Sequence, residues 1–255
     1  MLKYAVTNLI IGLLLCANAF AATVHDDSFG RSETNSWGTP ETTGSAYNDL
    51  QSTWLDVDGS EGNMTPQSGG QETAVVETGD DFTDMEATLL VTPGGYNYRH
   101  QFHVRYTDNS NHYEFRIDRF GNDQIVTEVA GGRTELANAA GGAFSSGVQY
   151  DMRFRVEDSG SDSLLKVKWW TGSEGGWEIE ATDTTTDHAS GSVAFGSNAG
   201  AGGNTTDFDD FVIDDLAGAG GGVIKTLNGL AWASVKTVNG LAVGSVKTIN
   251  GAAAQ

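Results

Sequence analysis

The sequence predicts an all-β protein built around an antiparallel two-sheet sandwich, and three observations predict it. Apolar and polar residues alternate with period two in one segment after another, which turns one stripe of each strand inward and the other outward. Turn-forming clusters break these segments at short intervals, at Gly94-Gly95, Asp108–Asn111, Gly121-Asn122 and Ser159–Asp162. No segment carries the 3.6-residue apolar spacing of a long amphipathic helix.

In chain order, strands are expected at Ser52–Val57, Thr73–Glu77 and Met85–Thr92. From Tyr98 to Tyr106, the inward set is His100, Phe102, Val104 and Tyr106, and the outward set is Arg99, Gln101, His103 and Arg105. From His112 to Asp118, Tyr113, Phe115 and Ile117 turn in, while His112, Glu114, Arg116 and Asp118 turn out. Gln124–Val129 follows. In Tyr150–Glu157, Tyr150, Met152, Phe154 and Val156 oppose Asp151, Arg153, Arg155 and Glu157. Leu165, Val167 and Trp169 form the next inward stripe, and Trp177–Ala181, Ser192–Phe195 and Phe208–Ile213 complete the set. Trp54 and Trp177 are expected in the core. Two-faced strands of this kind belong to antiparallel sheets packed on one side, not to a parallel sheet wrapped in helices. A body of 195 residues, 22–216, buries about 70% of its unfolded surface, enough to hold without disulfides.

Composition limits what such a body meets. The 255 residues hold 34 Asp+Glu against 14 Lys+Arg, a net charge of −20. Every acid lies between Asp26 and Asp215, where only ten Lys and Arg offset them, leaving −24. Nucleic acid and anionic lipid both require clustered cations, so neither is an expected partner. The 34 Gly follow no Gly-X-Y period, which excludes a collagen helix.

The two ends differ from the body. Residues 1–21 have the pattern of a secretory signal peptide: Lys3, the apolar run Leu9–Leu15, and the small-x-small site Ala19-Phe20-Ala21. The apolar run is shorter than a membrane span requires. The expected mature chain starts at Ala22, carries no membrane span, and is extracellular or at the cell surface. Cys16, the one cysteine, leaves with the leader.

At the other end, residues 217–222 form a Gly-rich linker and residues 223–255 an 11-residue repeat. Ile224-Lys225-Thr226-Leu227-Asn228-Gly229 recurs from Val235 and again from Val246. Asn-Gly flanked by β-branched residues is the signature of a type I′ hairpin turn, because both central positions need positive φ. The spacing predicts a meander of nine-residue strands. A small sheet with apolar edges invites another chain, so the tail is expected to attach or assemble the protein, self-association included. Packing on the body is the alternative.

Four pieces of the body give it a family likeness. They are Asp27-Ser28-Phe29-Gly30-Arg31 with Trp37-Gly38, the hairpin Arg105–Asp118, the strands from Tyr150 to Ala181, and the closing strand Phe208–Ile213. Together they resemble the concanavalin A-like lectin/glucanase superfamily, in its laminin-G-like branch. The resemblance implies a jelly roll and a structural calcium near the chain ends, at Asp27, Asp209 and Asp210. Calcium also suits the charge, since it takes six to eight oxygens and relieves repulsion among carboxylates. On a regular strand, Asp209 and Asp210 would point to opposite faces.

The outward array on the 99–118 hairpin is the candidate ligand surface: Arg99, Gln101, His103, Arg105, Glu114 and Arg116. Seven of the eight arginines fall between Arg99 and Arg155. Arg, His, Gln and carboxylate beside an aromatic ring suit sugar hydroxyls and uronates. Trp170, next to inward Trp169, adds an exposed stacking platform. Cross-strand charge pairing explains the same residues without a ligand.

Family-sixteen glycosidases of this fold carry two catalytic carboxylates on one strand. Glu178, Glu180 and Asp183 depart from that order. No Gly-rich phosphate loop, zinc pattern or nucleophile elbow is present. The expected function is a secreted, non-catalytic polysaccharide- or glycan-binding domain. A self-assembling surface or appendage protein and a glycoside hydrolase or polysaccharide lyase are its alternatives.

Overall fold

The computed structural model describes residues 21–216 except 50–54, 66–71, 78–80, 96, 119, 141–143, 160, 186–187 and 200–204, together with short segments of the tail. The body comprises β1 (Ala22–Asp27), β2 (Ser32–Thr34), β3 (Tyr47–Asp49), β4 (Leu55–Asp58), β5 (Gly62–Met64), β6 (Glu72–Glu77), β7 (Met85–Thr92) and β8 (Asn97–Asp108). It continues with β9 (Asn111–Asp118), β10 (Asn122–Val129), β11 (Gly132–Ala140), β12 (Tyr150–Ser159), β13 (Asp162–Trp170), β14 (Ile179–Asp183), β15 (Ser192–Ala199) and β16 (Thr206–Asp215).

These strands form two antiparallel sheets. One runs β14-β13-β12-β7-β16-β5-β4-β2, with β1 also paired to β16; the other runs β11-β10-β9-β8-β15-β6-β3. Their facing stripes make one core. From the first sheet come Met85, Ala87, Met152, Phe154, Val156, Leu165 and Val167; from the second come Phe102, Val104, Phe115, Ile117 and Phe195. Trp37 is fully buried among Phe29, Tyr47, Phe195 and Phe208, with ring centroids 5.3–5.7 Å away. Edge-to-face and tilted aromatic contacts of this kind add to the area they bury.

The sandwich and its alternating strands are as the pattern predicts, with four differences. First, β11 lacks the period-two stripe: it is a mostly exposed strand at the sheet edge, so packing imposes no alternation on it. Second, β8 does not alternate to its end. Arg105 adopts φ 47°, and the register to β9 shifts between Val104 and Asp108. This bulge inverts the remaining faces, so Arg105 turns between the sheets and Tyr106 turns out.

Third, a bulge at Asp210 (φ 46°) shifts β16 against β7 between Asp209 and Val212. Phe208 and Phe211 both face the core, and the two aspartates between them both leave it, where a regular strand would have split them. Fourth, Trp177 is only partly buried, with Lys168 Nζ 4.6 Å from its ring centroid, instead of in the core. Trp54 lies outside the described residues.

In the tail, three separate two-stranded pairs replace the expected nine-residue meander. They are β17 (Thr226–Leu227) with β18 (Leu230–Ala231), β19 (Thr237–Val238) with β20 (Leu241–Ala242), and β21 (Thr248–Ile249) with β22 (Ala252–Ala253). Each pair brackets one Asn-Gly step, with Leu227 opposite Leu230 and Val238 opposite Leu241. The Asn-Gly steps themselves lie outside the described residues.

Candidate functional site

The side of β8, β9 and β10 turned away from the core carries a polar layer. Register assembles it: Gln101 lies opposite Arg116, and His103 opposite Glu114. On the next strand Val126 lies opposite Glu114 and Glu128 opposite His112. On the other flank, Ala194 and Gly196 of β15 lie opposite His103 and Gln101. This layer is buried, although the alternation implied a solvent-facing surface. Gln101, His103, His112, Glu114 and Arg116 are 0–7% exposed.

Glu114 is the hub. Gln101 Nε2 donates to its Oε1 at 3.1 Å, Arg116 Nε donates to Oε1 at 2.9 Å, and Arg133 Nη2 donates to Oε2 at 2.6 Å. Burial pushes this carboxyl up, but His103, Arg116, Arg133 and the Gln101 hydrogen bond outweigh it and hold the group at about 2. Glu114 is therefore a carboxylate at any physiological pH. Burial with no compensating anion strong enough pulls His103 down to about 3, so its ring is neutral.

Three rings gather at one end of the layer. His103 and His112 lie 4.3 Å apart between centroids, with Tyr106 5.7 Å from the first and 5.6 Å from the second. Burial, aided by Asp108, pushes the Tyr106 hydroxyl up to about 12, and that hydroxyl donates to Asn109 Oδ1 at 2.7 Å. Neither ring nitrogen of His103 has a hydrogen-bond partner, nor has His112 Nε2. Buried polar atoms are rarely left this way.

The other residues named from the sequence go elsewhere. Arg105 is fully buried at one end of the sandwich instead of on the outward array. Its guanidinium donates to Thr83 O, to Ser163 Oγ and His188 O, and to Asp158 Oδ1 at 2.7 Å. The bulge at this residue accounts for the change. Arg99 sits half-buried at the far end of β8.

Trp170 lies on the opposite sheet, half-buried. It lines a cleft of about 220 Å³ with Thr88, Asp151, Arg153 and Asp210. Arg153 and Lys168 approach its ring at 5.9 and 5.4 Å, and both pair with Glu174.

Of the chain-end aspartates, Asp209 and Asp210 both leave the core on β16. Asp27 is fully buried, and Arg31 grips it with two hydrogen bonds of 2.6 and 3.0 Å while Phe29 N donates a third. Among the described residues, one group of three His, Cys, Asp or Glu side chains brings its ligand atoms within 4.8 Å of one another: His112, Glu114 and Glu128. The sequence placed His112 and Glu114 on one face but gave no pointer to Glu128. The i, i+2 spacing on β9 was the available signal.

Of the glycosidase-like carboxylates, Glu178 and Glu180 are both exposed, and Glu180 and Asp183 are separated. On β14, Glu180 is exposed and pairs with Lys166 at 3.0 Å, while Asp183 is buried and accepts from Tyr113. They occupy opposite faces of the strand.

No family model matches the sequence, and no curated protein matches it either. Solved structures do. The exoplasmic/lumenal domain of VIP36 in a Ca2+-bound form aligns with a TM-score of 0.53 at 13% identity, covering 75% of this chain and 92% of that one. A Ca2+/Man3GlcNAc-bound form of the same domain aligns at 0.51 and 12%, covering 67% and 85%. A GH43 protein from Bacillus licheniformis aligns at 0.52 and 9%, covering 75% of this chain but only 39% of its own. The body thus shares a lectin-like, all-β sandwich fold. Among the described residues, no helix is long and apolar enough to cross a membrane.

Proposed function

We propose that the body is an exported, non-catalytic carbohydrate-binding domain that takes a polysaccharide or glycan on the polar face of β8, β9, β10 and β11. One observation carries the reading: a layer of Gln, His, Glu and Arg on the face turned from the core, in which His103 has no hydrogen-bond partner at all. A face serving only cross-strand pairing would satisfy its own imidazole. Arg133, a third exposed, and the partly exposed Glu128 form the rim a sugar meets first. The arginine pair is offset by one carboxylate, so a glycan with scattered carboxyl groups suits the face better than a dense polyanion, which the −24 body repels. The Man3GlcNAc-bound VIP36 domain supports the reading by fold alone.

The leader at residues 1–21 supports export, and the tail pairs support attachment or self-association through residues 223–255. Calcium at Asp27, Asp209 and Asp210 has the weakest support, because it would have to displace Arg31 from Asp27. EDTA that leaves the melting temperature unchanged removes it. The deciding experiment for the main reading is a polysaccharide and oligosaccharide array with the folded chain. Retained ligand that Arg133→Ala releases supports it, and an array with no retained ligand overturns it.

A lyase reading has one observation of its own. His103 is neutral and unpartnered, its ring is 5.7 Å from that of Tyr106, and Arg116 and Arg133 stand by to neutralise a uronate. That set could remove and return a proton in β-elimination. Release of unsaturated uronate from a polysaccharide would establish it, and loss of that release in Tyr106→Phe would assign the residue.

A further inference from the structure

We infer that His112, Glu114 and Glu128, with His103 as a fourth donor, form a binding site for one divalent transition-metal ion of the zinc class. The sheet itself builds the site. His112 and Glu114 are two residues apart on β9, so they share a face. Register brings Glu128 of β10 opposite His112, and His103 of β8 opposite Glu114. Three adjacent strands therefore supply two imidazoles and two carboxylates to one patch.

The spacing suits a small ion. The ligand atoms of the trio lie within 4.8 Å of one another, and His112 Nε2 is 3.9 Å from Glu128 Oε2. Zinc bonds of 2.0–2.2 Å in a tetrahedron put donor atoms about 3.3 Å apart.

His112 is prepared as a ligand. Its Nδ1 lies 3.1 Å from the carbonyl oxygen of Asp108. Donation to that carbonyl fixes the tautomer and leaves the Nε2 lone pair directed at the cluster, the arrangement that second-shell partners impose on metal-bound histidines. Nε2 is buried with no hydrogen-bond partner, and so are both nitrogens of His103, whose ring lies 4.3 Å from that of His112. The salt-bridge network around Glu114 accounts for the carboxylate and the arginines. It leaves these three nitrogens unexplained, and one ion satisfies two of them, His112 Nε2 and one nitrogen of His103.

Donor chemistry selects the class. Calcium takes six to eight oxygens and avoids imidazole, whereas zinc, nickel and copper accept nitrogen readily. Arg116 and Arg133 keep Glu114 ionised while lowering the site's affinity by their own charge. The site does not depend on the glycan reading, and metal alone tests it.

The test is titration calorimetry of the full chain, purified without a polyhistidine tag and stripped with EDTA, against zinc chloride, with cobalt(II) absorption as the geometric readout. The expected result is one ion per chain with the intense visible bands of tetrahedral cobalt. His112→Ala and Glu128→Gln should each weaken binding at least about tenfold. Glu180→Gln, on the other sheet, should leave it unchanged. Glu128 is partly exposed, so Glu128→Gln decides the matter if His112→Ala fails to fold. No saturable binding, or binding that survives Glu128→Gln undiminished, overturns the inference.

Discussion

The hydroxyl of Tyr113 donates to Asp183 Oδ2 across 2.6 Å, joining β9 of one sheet to β14 of the other. Asp183 is 2% exposed, and Thr185 supplies further bonds from its amide and hydroxyl. Burial and the bond to Asp183 push the phenol well above its ordinary range. Tyr113→Phe keeps the ring and removes the donor, leaving a buried carboxylate under-satisfied. The expected cost is about 1.5–3 kcal/mol, read as a lower urea midpoint with an unchanged slope.

Arg105 holds one end of the sandwich together. Its fully buried guanidinium serves two backbone carbonyls, Ser163 and Asp158. Arg105→Met fills much of the volume and strands those acceptors. A loss of about 1–3 kcal/mol is expected in equilibrium unfolding, from buried acceptors left without their donor.

Gly191 lies against the same bulge. A Cβ there would fall on the carbonyl carbon of Arg105, and backbone cannot swing aside as a side chain can. Gly191→Ala should therefore lower the melting temperature by several degrees, while Gly175→Ala, which meets nothing within 4 Å, should not.

Acid should unfold the body early. Burial lowers His100 to about 4 and His103 to about 3, against roughly 6.5 in an unfolded chain. Between those values the unfolded state binds the protons, so stability rises with pH and falls on acidification. Each histidine contributes about 1.4 kcal/mol per pH unit below roughly 6.5. Glu114, held at about 2, works in the same direction: its contribution is intact above roughly 4.5 and is lost toward 2. Melting temperature measured from pH 7 to 4 should drop steeply, and His100→Leu should flatten the slope.

Sugar binding should depend on the rim more than on the cleft beside Trp170. Arg133→Ala removes one hydrogen bond to Glu114 and the exposed cation above it. A retained glycan should bind about tenfold more weakly, roughly 1.4 kcal/mol. Trp170→Ala on the opposite sheet should leave its affinity within error, and the reverse pattern would move the site to that sheet.

Much of the sandwich is legible in the alternation of Met85–Thr92, His112–Asp118 and Tyr150–Trp169, because a half-buried strand must repeat every second residue. Period two fails where the backbone steps out of register. Nothing in Arg105 or Asp210 announces a positive φ, and each inverts the faces that follow. Arg105 was thereby read as surface and Tyr106 as core. The polar layer was half legible: parity puts Gln101, His103, Glu114 and Arg116 on one side, but parity carries no information on whether that side is buried. Glu128 was invisible as a partner of His112, since pairing between strands is a long-range property. In the repeats, the paired residues flank each Asn-Gly step, and the steps themselves lie outside the described residues.

The first and last strands of the body lie side by side, with Ala22 opposite Asp215 and Asp27 opposite Phe211. The last strand is also bonded to β7 and β5, so it is an interior strand, not an edge. Mechanical load entering through the tail would reach the body at a strand stitched along both flanks. Each step of peeling such a strand must break bonds to the neighbours on both sides rather than to one.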